Sequence, residues 1–417
     1  MNNKIFTYFT RYNEIKSDNK GFDFFSRGMM KKLREMSTMF MSFLVAFALV
    51  SIGCSDDNGS ETVIPFGKKA IVATAAADYS SGAHSVVTLE KPRSATNNLL
   101  PTGSDLTVAA FGDYFYRIER YQADNITKFH IDAPSDVIWQ YSTLEGSVST
   151  NVYDMVFVND DKAYLICYGS VKVWIVNPSA NSEAEFKIGE LDLSLYADSD
   201  DIPEISSGIL VDGKLYITVQ RLDRDNYWTT SNTSYVAVFD TATDQEIDTG
   251  ITNSDGVKGI PLTIRNQSSI DYIDGALYIS ATGNWFDSYY GIQKVNLSTY
   301  EPDVDLIYDE KIVIDIALVS STKGYFIDYV GWENTALRSF NPSTGVVSDG
   351  NIAGIGDSGD RNLSGLSVDS SGMLWVSDAS LTNPGIYIID TSNDQIDEGP
   401  ISTNLNPGTV VFCGYFE

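Results

Sequence analysis

The sequence predicts an all-β fold, a seven-bladed β-propeller of four-stranded blades whose ring is closed by N- and C-terminal strands. Three observations predict it. From Phe66 onward, apolar and aromatic alternation breaks every few residues at Gly, Asn, Asp or Pro, the signature of strands and tight turns. A unit then recurs in which an apolar strand ends in Asx before a turn, at Asn177, Asp240, Asn296, Asn341 and Asp390, with intervals of 63, 56, 45 and 49 residues. Finally, the composition is 43% hydrophobic and 12% aromatic, enough for a large core, while Ala/Leu/Glu/Lys runs of helical period are scarce after residue 60.

The chain before Phe66 reads as an address and a tether. Lys31, Lys32 and Arg34 precede an apolar run from Met39 to Ile52, too short to span a bilayer comfortably, so residues 30–53 are expected to be a signal peptide. The run ends Ser51-Ile52-Gly53-Cys54, which resembles the lipobox of bacterial lipoproteins and implies lipidation at Cys54. The family motif more often has Leu where Ser51 stands. Residues 1–29 place polar and charged material ahead of that signal and read as an over-extended start, with translation expected from Met29 or Met30. Residues 54–65 form a polar tether, and an acidic stretch after a lipidated Cys is similar to the surface-export signal of Bacteroidetes lipoproteins. The expected location is the outer membrane or cell surface, extracytoplasmic, held to the bilayer by lipid alone.

Residues 66–417 form the propeller domain. Each Asx strand is preceded by one with an aromatic at its second position: Ala163–Ile166, Leu215–Thr218, Leu277–Ser280, Gly324–Ile327 and Leu374–Ser377. Shorter apolar strands lie upstream, at Met155–Val158, Ser207–Val211, Ile314–Val319 and Leu366–Val368. A fourth strand after each turn gives blades at 105–147, 152–198, 203–253, 265–309, 312–355 and 362–404. Strands Ala70–Ala76 and Ser85–Leu89, joined by Pro407–Phe412 as an inner strand, complete a seventh and leave no open edge.

These units resemble the YVTN repeat of surface-layer and YncE-like seven-bladed propellers. Lys214–Val219 followed by Tyr235–Ile247 carries the likeness best, and Lys162–Tyr168 followed by Val173–Pro178 carries it again. The likeness extends over about 350 residues and implies strands and turns rather than a reaction; families with this repeat include binding, scaffolding and enzymatic members.

Charge and composition exclude several classes. The formal charge is −28, and without the first 53 residues it is near −32, which disfavours nucleic acid and anionic headgroups as partners. Three Cys and two His, with no CxxC, CxxCH or HExxH, remove most metal and redox chemistry. Cys167 and Cys413 are expected as buried free thiols, and His84 and His130 as structural residues.

In a propeller, the loops joining the second and third strands share a face with the links between blades, where recognition residues concentrate. Candidate ligand-binding residues there are Arg120, Tyr121, Tyr168, Arg221, Arg224, Trp228, Lys258, Trp285, Tyr289, Tyr329, Trp332 and Arg361. Tyr, Trp and Arg supply much of the energy of recognition, though such aromatics also stiffen long loops by packing together. Arg221, Lys258, Arg265 and Arg361 would make a basic floor for an anionic ligand if they converge. The acidic link 198–204 could hold Ca²⁺, but it matches no EF-hand spacing and reads first as a solvated link. The leading function is a membrane-anchored binding or scaffold protein, expected to be monomeric, with a protein, glycan or small molecule as ligand. Alternatives are a lactonase-like, metal-assisted propeller hydrolase and an assembly factor of an outer-membrane complex.

Overall fold

The computed structural model describes residues 69–414, apart from 285–287, 332–333, 349, 353–354 and 356–360. Cys54 and the expected leader and tether therefore lie outside the described residues. No helix among the described residues is long and apolar enough to cross a membrane.

The strands fold into seven sheets arranged as a seven-bladed propeller. Blade 1 begins with β1 (Lys69–Ala75), β2 (Gly82–Thr88) and β3 (Ala95–Thr102). Blade 2 holds β4 (Leu106–Phe111), β5 (Tyr114–Glu119), β6 (Asn125–His130) and β7 (Ala133–Ser142). Blade 3 holds β8 (Val152–Asn159), β9 (Lys162–Cys167), β10 (Lys172–Val176) and β11 (Lys187–Asp192). In blade 4, β12 (Ile205–Val211), β13 (Lys214–Val219) and β14 (Ser234–Asp240) are followed by a split fourth position. There β15 (Gln245–Glu246) pairs with one end of β14 and β16 (Ile260–Leu262) with the other.

Blades 5 and 6 hold β17 (Gln267–Ile273), β18 (Ala276–Thr282), β19 (Tyr290–Asn296), then β20 (Val313–Ser320), β21 (Lys323–Gly331), β22 (Asn334–Phe340). Their fourth position is reduced to isolated bridges, Ile292 to Tyr308 and Val295 to Pro302 in one, Phe340 to Val347 in the other. Blade 7 holds β23 (Leu363–Val368), β24 (Leu374–Asp378), β25 (Gly385–Asp390) and β26 (Gln395–Ser402). Finally β27 (Asn406–Cys413) pairs antiparallel with β1, from Lys69 opposite Cys413 to Ala75 opposite Asn406, and supplies the inner strand of blade 1.

The core lies between blades. The second and third strands are buried on both faces, as in β9 and β14, which is why they read as continuous apolar runs. One cluster joins Tyr164 and Ile166 to Leu215, Tyr235 and Phe239; another joins Val72 of blade 1 to Trp375 and Ile388 of blade 7. Outer strands face water, and β7 exposes Val137 and Ile138.

The face carrying the turns between third and fourth strands is called the lower face. The five Asx residues cap these turns as expected: Asn177 Oδ1 accepts from Ser179 N, Asp240 from Thr243 N, Asn296 from Ser298 N, Asn341 from Ser343 N and Asp390 from Ser392 N.

Each of these turns is also gripped by the preceding blade. Lys162 Nζ and Tyr164 Oη of blade 3 donate to Asp244 at 2.8 and 2.5 Å. Lys323 and Tyr325 of blade 6 do the same to Asp394, at 2.6 and 2.5 Å. Lys214 reaches Tyr300 Oη, Tyr278 reaches the Pro342 carbonyl, Lys128 the Pro178 carbonyl and Lys69 the Ile131 carbonyl. At the ring closure, Lys91 and Arg93 in the blade 1 turn pair with Asp397 and Glu398 of β26. The recurring aromatic of the second strand thus serves the joints between blades.

Other expectations of structural roles hold. Cys167 and Cys413 are free and buried, their thiols pushed up to about 12 by burial. His84 is buried against Phe115 and Phe129, with Nε2 2.8 Å from the Pro134 carbonyl, and burial lowers its pKa to about 4. His130, half-exposed, stands at the end of β6 with Nδ1 3.6 Å from an Asp132 carboxylate oxygen.

Candidate functional site on the upper face

The upper face carries the loops between second and third strands and the links from one blade to the next. On blades 2 to 4 a row of stacked side chains crosses it. Arg120, buried, follows β5 and donates through Nε to Asp105 at 2.7 Å, which fixes the guanidinium over the Tyr153 ring at 4.8 Å. Tyr153 stacks on Tyr168 with centroids 4.3 Å apart and planes 13° from parallel. Arg224 covers the next step, 5.9 Å from the Tyr168 centroid and 4.8 Å from that of Trp228. Each aromatic pair and cation–π contact of this kind contributes on the order of 1 kcal/mol.

Arg224 is fixed by the link ahead of blade 4. Its Nε pairs with a Glu204 carboxylate oxygen and its backbone N donates to Asp200 at 2.8 Å. Glu204 is fully buried and accepts from Leu222 N at 2.8 Å. Burial pushes its pKa up to about 8 against the opposing pull of Arg224. The link 198–204 is thus not simply solvated: Asp198 accepts from Asn232 Nδ2, Asp200 from Ile202 N, and the last acid is sealed inside. Among the described residues no group of three or more His, Cys, Asp or Glu is placed to hold a metal ion.

The remaining candidates go elsewhere. Arg221 Nη1 pairs with Asp255 at 2.6 Å and its guanidinium covers Tyr235, whereas Lys258 lies 3.8 Å from Glu246. Arg361 holds Asp378 and Tyr387, and Arg265 covers Tyr289 at 3.8 Å. The four cations expected as a basic floor are each already engaged, Arg221, Lys258 and Arg361 by carboxylates and Arg265 by an aromatic ring. Tyr329 is half-buried against the blade 6 and 7 core, with its N–H on the Ile312 carbonyl. Tyr121 stands 40% exposed at the tip of the blade 2 loop. Trp285 and Trp332 lie outside the described residues.

Sequence reasoning missed Tyr153 and Asp105, and met Glu204 only as one acid of the link 198–204. Tyr153 sits in an apolar inner-strand run that reads as core. Asp105 and Glu204 stand 15 and 20 residues from the arginines they pair with.

Exposed apolar side chains also gather here. Of the fourteen large exposed hydrophobics among the described residues, eight lie on the upper face, Tyr121, Leu144, Val148, Leu195, Tyr227, Tyr289 and Leu381 on loops and links and Val330 at the upper end of β21. They span blades 2 to 7. Tyr227 is 78% exposed, and both Tyr227 and Trp228 hold φ of +59°, a left-handed conformation that bulky residues seldom adopt.

Acids on the innermost strands have a different job. Asp154, Asp271 and Asp315 accept the backbone N–H of Gly208, Leu318 and Leu366, each on the next blade. Burial raises the Asp271 pKa to about 6, with Asp315 adding to it.

No family model matches the chain, and no curated protein matches it in sequence. Solved structures do match. A candidate 6-phosphogluconolactonase from Bacteroides uniformis is 10% identical with a TM-score of 0.53, covering 83% of this chain and 99% of its own. A functionally unknown protein from Desulfotomaculum acetoxidans is 11% identical with a TM-score of 0.52, over 83% and 98%. Hydrazine synthase from Kuenenia stuttgartiensis is 11% identical with a TM-score of 0.50, over 68% and 76%. At such identities the likeness is one of fold, and the class it defines is the β-propeller.

Proposed function

We propose that the chain is an extracytoplasmic binding or scaffold protein of the YVTN-like propeller type, anchored through lipid on Cys54, whose upper face receives a partner. One observation carries the reading: eight of fourteen large exposed hydrophobics lie on that face, where water would otherwise disfavour them. A rigid ring presenting variable loops suits recognition.

The test is site-specific photo-cross-linking in native membranes. A cross-linker at Tyr121, Tyr227 or Leu381 should capture one common partner, while one at Val304, on the outer edge of blade 5, or at Val346, on a lower-face turn, should not. Capture from the lower-face positions alone would overturn the reading. In the same preparation a Cys54→Ala variant should leave the membrane fraction.

A further inference from the structure

The charges on the upper face say more about what it receives, and this step rests on the face being the binding surface. Three of its arginines are already neutralised within the molecule, Arg120 by Asp105, Arg221 by Asp255 and Arg361 by Asp378, and Arg224 is held on the buried Glu204. Lys311 stands 3.4 Å from Asp328 in the same way. Exposed carboxylates remain beside the aromatics. Asp225 is exposed within two residues of Tyr227, and Asp201 is exposed on the link that carries Glu204 beneath Arg224.

We infer that this face takes a basic polypeptide segment, a stretch of a partner protein bearing Lys and Arg. The chemistry is complementary on three counts. Tyr121 and Tyr227 stand 40% and 78% in water, where aromatic rings attract ammonium and guanidinium groups, each contact worth about 0.5–1 kcal/mol at exposed sites and more when dry. Neighbouring carboxylates can pair with the same cations. The net charge of −28 draws a cationic segment from a distance and repels an anionic one. An acidic peptide or a phosphorylated ligand would meet these carboxylates, while Arg224 is already engaged by Glu204 and Trp228, and Arg265 by Tyr289 and the Thr230 carbonyl.

The experiment uses the full chain on an array of immobilised peptides of one length and one aromatic content, graded from Asp/Glu-rich to Lys/Arg-rich. Binding is expected to rise with positive charge and to fall steeply with added salt. Tyr227→Ala should weaken it on the order of tenfold, as for a central aromatic anchor, and an Asp201→Asn/Asp225→Asn pair should weaken it and flatten its salt dependence. Circular dichroism confirms that the variants remain folded.

Binding that ignores peptide charge, or that prefers the acidic peptides, overturns the basic-segment inference while leaving the face itself as the binding surface if Tyr227→Ala still weakens it. Charge-dependent binding that neither variant alters overturns the inference and the face together.

Discussion

The lower and upper faces of this propeller use the same residue types to opposite ends. Below, Lys and Tyr of one blade grip a turn of the next, with Asp244 and Asp394 each receiving an ammonium and a phenol. Above, Arg and Tyr stack on one another within blades 2 to 4, and exposed rings stand at the loop tips. Lower-face partners repeat at corresponding places from blade to blade. Upper-face partners repeat only in part: Arg120 with Asp105 and Arg224 with Glu204 each tie a loop to the acid ahead of the blade's first strand, but the aromatic steps between them do not recur. Repetition marks what the ring needs in order to close, and irregularity marks what has been left free for recognition.

The contrast is open to direct attack. Asp394→Ala strips Lys323 and Tyr325 of a shared partner and should cost about 2 kcal/mol, since a charge-assisted hydrogen bond to a mostly buried phenol is lost with the ion pair. Chemical denaturation reads this, and a cost below about 0.5 kcal/mol, the range of an ordinary surface change, would deny the clamp its role. The Asp244→Ala variant should behave alike, and neither should alter partner capture at Tyr227.

A smaller effect is expected from pH. The folded pKa of Glu204 lies near 8 and its ordinary value near 4.5, so the folded state holds a proton that the unfolded state has released. The stability this contributes is present below about 4.5 and is lost as pH rises through about 8. Glu204→Gln keeps an acceptor for Leu222 N and should lower that slope, while Asp394→Ala should retain it. Denaturation midpoints measured across this window for wild type and both variants decide the matter; equal slopes would show that Glu204 is not held protonated.

Least of all should happen to stability at Tyr227. With 78% of its surface in water, Tyr227→Ala should stay within about 0.5 kcal/mol of wild type even as it weakens binding. A loss of several times that would move Tyr227 from the recognition surface into the framework and blur the distinction between faces.

How far these features could be read from the sequence follows the same division. The blades expected at 152–198, 203–253 and 362–404 hold β8–β11, β12–β15 and β23–β26, because Asx turns and twice-buried strands are local patterns. Ring closure by β27 and β1 was legible for the same reason. Strand β3 was not, since Asn98 and Leu100 take positive φ and its pairing with β2 shifts register twice, leaving no alternation to see. The split fourth position of blade 4 and the bridges of blades 5 and 6 are likewise irregular.

At the candidate site, the arginines and aromatics of the loops stood out by type, but their destinations did not. Arg221 and Arg224 are three residues apart and turn to different acids, Asp255 and Glu204, because a positive φ at Arg221 redirects the chain between them. No periodicity announces such a choice.

Ring closure has a practical corollary for handling the molecule. Lys69 opens β1 directly opposite Cys413 near the close of β27, so chain entry and exit sit together on the side away from the recognition loops. A fusion or surface coupling joined at either place leaves the loop side clear.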